Sequence, residues 1–220
     1  HKTLSLSPDR LSLYSYAHVP WIKGLGQRGY SEENLPAAED KRKLYETARG
    51  IFEQNDYFEV GMDHFAKADD AMFIAYREGR LNRNFMGYTT TQARLLIGLG
   101  ASAISDAWGA MAQNEKNVDK YLQLTGSLPV VKGHIQSEKD LEQRKLIQDI
   151  MCRFTADISE PDALTLGRLE ELQEDGIIEI SGQQLSITPS GRAFIRNVCA
   201  IFDDYLREKE SPEQTFSKAI

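Results

Sequence analysis

Cysteine is scarce in this sequence: Cys152 and Cys199 are the two in 220 residues. Thiols so far apart form neither a disulfide framework nor a metal-binding spacing, and they fit a reducing, cytoplasmic setting. Long apolar runs are missing as well. A membrane helix needs about 20 consecutive apolar residues, and no stretch approaches that. The opening "HKTLSLSPDR" also lacks the apolar core of a signal peptide. Positive charge is in deficit. Lys and Arg number 26 against 33 Asp and Glu, for a net charge of −7 and a pI near 5.2. Nucleic acids and anionic membranes are held by clustered cations that neutralise phosphate, so neither is an expected partner. A local cationic pocket for an anionic small molecule is compatible with this balance. Internal repeats and low-complexity tracts are absent. What is present, 41% hydrophobic and 27% charged residues, suffices for one or two packed cores.

Leu11 to Ala17 alternates and is rich in Leu and Tyr, which predicts a strand ended by Pro20. The glycine-rich "WIKGLGQRGYSEENLP" is a long loop, of the length that often carries function. Pro36 suits a first helical position, with Glu39 and Asp40 in the positive first turn and Leu44, Ala48 and Ile51 as the apolar stripe. "YFEVGM" reads as a second strand. "KADDAMFIAYREG" reads as a helix capped by Asp69 or Asp70 and closed by Gly79. "RNFMGYTTT" is a polar-aromatic loop, and "LLIGLGASAIS" a third strand whose glycines admit a close neighbour. Alternating strands and helices predict parallel βαβ units, with functional residues at the C-terminal strand ends.

The character changes after Asn114. Ser137 with Asp140 makes a capping-box start, followed by Ile147, Ile150, Met151 and Phe154 on one helical face. A second helix carries Leu166, Leu169 and Leu172 and stops at Gly176. "IIEISGQQLSIT" predicts a hairpin turning at Ser181–Gly182. Thr188 caps a last helix striped by Phe194, Ile195, Val198, Phe202 and Tyr205. Helix, helix, hairpin, helix resembles a winged-helix arrangement. Its recognition helix, however, carries Asp162, Glu170, Glu171, Glu174 and Asp175 against Arg168 alone, and phosphates would repel it.

Asp63 and His64 stand side by side at a junction between elements. With His18 they include metal-ligand types, but no two of the three share one element at ligand spacing. "GLGASA" matches a dinucleotide fingerprint only loosely and lacks its acidic partner. Gln27, Arg28, Arg83, Asn84 and Tyr88, with Lys23 and Arg77, interleave cations with aromatic and polar groups. Guanidinium forks recognise carboxylates and aromatic faces hold apolar rings, so the set suits an anionic, ring-containing ligand.

"SPDRLSLYSYAHVPWIKGLGQR", "GMDHFAKADDAM", "LNRNFMGYTT" and "GLGASAIS", with "IMCRF" and "GRAFIRNVCAIFDDYLREK" further on, closely resemble the oxygen-independent coproporphyrinogen III oxidase family (coproporphyrinogen dehydrogenase). These are radical S-adenosylmethionine enzymes of haem biosynthesis, and the resemblance runs essentially end to end. It implies an α/β fold. Residues 1–114 would be the C-terminal βα units of a partial parallel barrel, and residues 115–220 a mostly α-helical domain with a winged-helix-like hairpin. It implies oxidative decarboxylation of two propionates of coproporphyrinogen III to vinyl groups, through a 5′-deoxyadenosyl radical. Two S-adenosylmethionine molecules and a four-iron–four-sulfur cluster are the implied cofactors of the complete enzyme. An electron donor protein and the N-terminal half of the barrel are the implied partners.

The family's Cys-x-x-x-Cys-x-x-Cys cluster motif is absent. The chain is therefore read as the C-terminal half, holding no cofactor alone and inactive alone. By the same resemblance, Ala17 in "YSYAHVP" matches a contact of the second S-adenosylmethionine and Ile104 in "GASAIS" a contact of the first. The remaining roles are physical expectations. Arg28 and Arg83 would pair with propionates, with Gln27 and Asn84 beside them. His64, next to Asp63, would donate to a carboxylate or move a proton. Tyr88 would pack on the tetrapyrrole or donate to it. Two other readings compete: a haem-carrying chaperone relative, which usually differs at "RNFMGYTT", and a ligand-sensing winged-helix regulator.

Overall fold

The computed structural model describes residues 1–19, 26–29, 31–124, 126–159 and 161–208. Strand β1 (Arg10–Ser12) is followed by helix α1 (Ala38–Glu53), then by β2 (Tyr57–Glu59) and β3 (His64–Lys67), in the sheet order β1-β3-β2. Every strand pairing among the described residues is antiparallel. The parallel sheet expected within residues 1–114 is corrected on this point. β1 and β2 do run in the same direction on either side of α1, since both pair antiparallel with β3. But β3 lies between them. The link from Val60 to Asp63 is far shorter than the crossover of a dozen or more residues that parallel neighbours need. "YFEVGMDHFAK" is thus a hairpin.

α1 starts at Ala38, past Pro36, and Leu44 is 62% exposed. Its inward side is carried by Phe52, whose ring lies 5.2 Å from that of Phe65 and 6.2 Å from that of Tyr57. Helix α2 (Ala71–Arg77) is capped by Asp70, whose carboxylate accepts from Met72 N–H at 2.7 Å. A small hairpin follows, β4 (Asn82–Asn84) with β5 (Gly87–Thr89).

Next come β6 (Leu95–Leu96), β7 (Ile104–Ala107), β8 (Ala110–Asn114), helix α3 (Val118–Gln123) and β9 (Val130–Ile135), with sheet order β6-β7-β8-β9. The single strand expected over "LLIGLGASAIS" is two strands folded back on each other. Gly98 is the reason they fit, because a Cβ there would lie 2.7 Å from the Ile104 carbonyl oxygen. Buried Asn114 ties the same turn, donating to the carbonyls of Gly98 (3.3 Å) and Gly100 (2.9 Å). The pairing Asn114↔Val130 carries this sheet across the division placed between 114 and 115.

The last part is α4 (Glu138–Arg153), β10 (Thr155–Asp157), α5 (Ala163–Glu174), β11 (Ile178–Ser181), β12 (Gln184–Ile187), α6 (Ile195–Ile201) and α7 (Asp204–Glu208). The Ser137–Asp140 capping box is present at the start of α4. β10 joins the hairpin in the order β10-β12-β11, completing a winged-helix layout. Ser181 pairs with Gln184, so the turn is Gly182–Gln183, one residue later than expected. One core serves both parts. Val60, Ala66, Leu81 and Tyr88 pack in the same cluster as Ile150, Leu169, Leu185 and Val198. Each fully buried aliphatic side chain contributes roughly 1.5–3 kcal/mol. Among the described residues no helix is long and apolar enough to cross a membrane.

Candidate functional site

One aromatic ring shapes the turn between β2 and β3. Gly61 has φ +140°, and a Cβ there would come within 2.5 Å of the Tyr88 ring. The Tyr88 hydroxyl accepts from Met62 N–H at 3.0 Å and donates to the Met151 carbonyl at 3.0 Å. The residue is buried, and burial pushes its phenol up to about 12. Its donor is thus taken by α4, and the residue acts as a strut beneath the turn.

On that strut stands His64. Its Nδ1 lies 2.7 Å from the Met62 carbonyl, which can only accept, so Nδ1 carries a proton. Nε2 is 3.4 Å from the Tyr14 hydroxyl and in the neutral ring presents a lone pair to it. The ring stands edge-on to Tyr88 at 5.1 Å. Asp63 holds a left-handed backbone, φ +60°, and its carbonyl accepts from Leu13 N–H at 2.8 Å. Burial raises the pKa of its carboxyl, while the charges of Arg196, His64 and Arg83 pull it down without cancelling the rise. Asp63 and His64 therefore occupy a hairpin turn and the first position of β3, not the C-terminal end of a parallel strand.

Arg83 pairs across the β4–β5 hairpin with Tyr88, so the two share a face. Its guanidinium lies 5.3 Å from the ring centroid, and its Nε is buried without a hydrogen-bond partner. Asn84 accepts from Met86 N–H at 2.9 Å and so shapes the hairpin turn. Gln27 accepts from Val19 N–H at 2.7 Å and donates to the Ala17 carbonyl at 3.0 Å. It clamps the backbone around Ala17 and does not join the Asp63–His64–Arg83–Tyr88 group. Ala17 itself is exposed, and Ile104 is half-buried on β7. The side chains of Lys23 and Arg28 lie outside the described residues.

A cleft of about 540 Å³ opens between the β4–β5 hairpin, the β6–β9 sheet and α4. Asp106, Met111 and His134 form a row across β7, β8 and β9 by register. Asp140, Arg144, Ile147, Gln148 and Met151 line the opposite wall at the spacing of one helical face. Arg144 makes a two-point ion pair with Asp106 and donates to Gln136 at 3.0 Å. His134 Nε2 lies 3.2 Å from Asp140, which Ser137 N–H also holds at 2.8 Å. Those hydrogen bonds keep the Asp140 carboxyl down at about 2. The sequence pattern shows Asp140 as a cap, and Ile147, Met151 and Phe202 as core stripes. That their exposed edge meets His134 and Asp106 is not visible there, because the residues come from separate elements.

The cysteines do not fit an iron–sulfur cluster. Cys152 and Cys199 are buried in α4 and α6, and burial pushes their thiols up to about 11 and about 12. Cluster ligands are thiolates. Among the described residues no group of three or more His, Cys, Asp or Glu side chains is placed to hold a metal ion.

No family model matches the sequence. A solved structure of the coproporphyrinogen III oxidase HemN from Escherichia coli, described as a radical SAM enzyme, superposes with a TM-score of 0.85 at 34% identity, over 93% of this chain and 50% of that one. The fold is therefore that of a part of a radical SAM enzyme. Oxygen-independent coproporphyrinogen III oxidases from Synechocystis and from Escherichia coli are 38% and 35% identical over the whole chain. One from Thermostichus vulcanus is 36% identical, and the chain covers 71% of it. The chain belongs to the oxygen-independent coproporphyrinogen III oxidase family. It spans about half the length, 50%, of the Synechocystis and Escherichia coli relatives.

Proposed function

We propose that the chain takes part in the oxidative decarboxylation of two propionates of coproporphyrinogen III to vinyl groups, giving protoporphyrinogen IX. The observation that carries this reading is identity of 38% along the full 220 residues with a relative bearing that enzyme's name. S-adenosylmethionine, reduced at a four-iron–four-sulfur cluster, supplies the radical chemistry when bound. The cluster ligands must come from sequence outside these residues, since the two cysteines do not fit the role. An electron donor protein belongs to the same reading. Ala17 and Ile104 offer apolar contacts to S-adenosylmethionine. His64, fixed in one tautomer by Met62, is the group suited to donate to a carboxylate or move a proton, and Asp63 sets the charge beside it.

The test is a chimera in which this chain replaces the matched segment of the Synechocystis relative. Assayed without oxygen, with S-adenosylmethionine and reductant, it should convert coproporphyrinogen III to protoporphyrinogen IX, and His64→Ala should lower that rate. A folded, cluster-loaded chimera with no turnover would overturn the reading.

A further inference from the structure

The β6–β9 sheet turns one face to α4 and leaves the other open. Asp106 and His134 reach Arg144 and Asp140 of α4, with Met111 between them. Side chains alternate along a strand, so the neighbours of these residues point away from α4. There the register sets Leu95, Ala107, Ala110 and Ile135 in one row, and Ser105, Ala112 and Gly133 in the next. Neither row holds a charged residue, and the Ser105 hydroxyl accepts from Gly98 N–H at 3.0 Å. None of these residues joins the common core. Ile135 is 85% exposed, and Ile97, which follows Leu95 on the same side, is 66% exposed.

Large side chains stand at the two edges of this face and small ones between them. The face is a trough with a floor of Ala, Ser and Gly. β6 and β9 lie three strand spacings apart, about 14 Å. An α-helix with its side chains is about 10–12 Å across, so the trough has room for one helix, and the small floor lets its backbone approach. A second copy of the same face fits badly. Rim would meet rim, and the two floors would enclose a void that forfeits close-packed contacts.

Trp108 stands at the end of the trough, 82% exposed. It holds φ +46° in the two-residue turn between β7 and β8, a conformation that suits Asn or Gly and disfavours a bulky residue. In the chain alone the ring offsets that cost with no burial. A neighbour that covers it accounts for its place. The lack of charge sets the kind of neighbour, because permanent interfaces are apolar where transient ones are polar. Relatives of this chain carry a source of such a neighbour, since the chain covers 50% of the Synechocystis and Escherichia coli oxidases.

We propose that this sheet face receives one amphipathic helix from the half of the relatives' length that these 220 residues do not span. The inference rests on the shape of the face and on family membership, and not on the reaction proposed above.

The test compares the 220-residue chain with the chimera built on the Synechocystis relative, by hydroxyl-radical footprinting read by mass spectrometry. In the chain alone Trp108, Ile97 and Ile135 should be oxidised readily. In the chimera their rates should fall about fivefold or more, as for side chains in an interface core, while Leu164 on α5 should keep its rate. Ala112→Glu places a charge on the floor. It should leave the urea midpoint of the chain alone unchanged, and lower that of the chimera, where the charge is buried without a partner. Unprotected Trp108 and Ile135 in a folded chimera, or an equal effect of Ala112→Glu on both proteins, would overturn the proposal. Protection already present in the chain alone, with sedimentation as a dimer, would assign the face to a second copy and overturn it too. These readouts need neither turnover nor a cluster, so they fail separately from the decarboxylation assay.

Discussion

The Arg192 guanidinium lies 3.2 Å from the Glu59 carboxylate, and the Glu59 side chain is only 7% exposed. The pair joins the first hairpin to the turn that opens α6. Tyr45 donates to the same carboxylate at 3.3 Å, and Arg192 also covers the Phe154 ring at 4.4 Å. Removing one partner of such a pair leaves the other charge buried. Glu59→Ala should lower stability to urea by about 3 kcal/mol. The double variant with Arg192→Met should cost less than the two singles summed, because the stranded guanidinium is gone. Strict additivity would show that the pair does not join the two parts.

Gly61 and Tyr88 make a second test. Gly61→Ala meets both an unfavourable φ of +140° and the Tyr88 ring at 2.5 Å. Tyr88→Phe keeps the ring but strands Met62 N–H and the Met151 carbonyl. The expected cost is about 1–3 kcal/mol for Tyr88→Phe, and more for Gly61→Ala. In Gly61→Ala the His64 ring should also lose its fixed tautomer, seen as a change in its imidazole NMR signals. A Gly61→Ala chain as stable as wild type would refute this account of the turn.

The two halves of that turn show what a sequence can reveal. Caps are local, and Asp70 and the Ser137–Asp140 box stand where spacing puts them. Strand direction is nearly local too: β1, α1 and β2 alternate as a crossover unit does. Strand neighbourhood is not local, and β3 entering between β1 and β2 left no mark in the pattern. Leu95–Ser105 reads as one apolar strand because its turn is made of glycines, which elsewhere interrupt strands. β10 is three residues long, too short for any period. Tyr88 sits in a polar-looking stretch, so its burial was hidden. The cleft was hidden for the same reason that made it a cleft: its walls come from a hairpin, a sheet and a helix far apart in the chain.

Two aspartates should give stability opposite responses to pH. Asp140 titrates at about 2 in the folded chain, below its ordinary 3.8, because Ser137 donates to its ionised form. Its stabilisation is whole above the unfolded value and is lost as pH falls through about 2. Asp63 is raised, chiefly by burial, so its ionisation opposes folding. Its contribution is fully present below the unfolded value and is lost as pH rises through the folded one. Asp140→Asn should flatten the fall in stability on the acid side. Asp63→Asn should gain stability relative to wild type as pH rises above the carboxylate range. Urea titrations from pH 2 to pH 7 check both, and matching slopes for the two variants would contradict the assignment.

The cysteines allow a direct check on where cluster chemistry resides. Both thiols are buried, and burial holds them protonated up to about 11 for Cys152 and about 12 for Cys199. Thiolate is the species that reacts with disulfide reagents and binds iron. At pH 8 the folded chain should therefore react with a thiol-specific disulfide reagent only as fast as it opens, with both cysteines released together in urea. Incubated with iron and sulfide under reducing, oxygen-free conditions, it should develop no charge-transfer absorption. The chimera with the Synechocystis relative should develop that absorption, and should keep it when Cys152 and Cys199 are both changed to Ala. Loss of the absorption in that double variant would place cluster ligands inside these residues and overturn the division of labour argued from their burial.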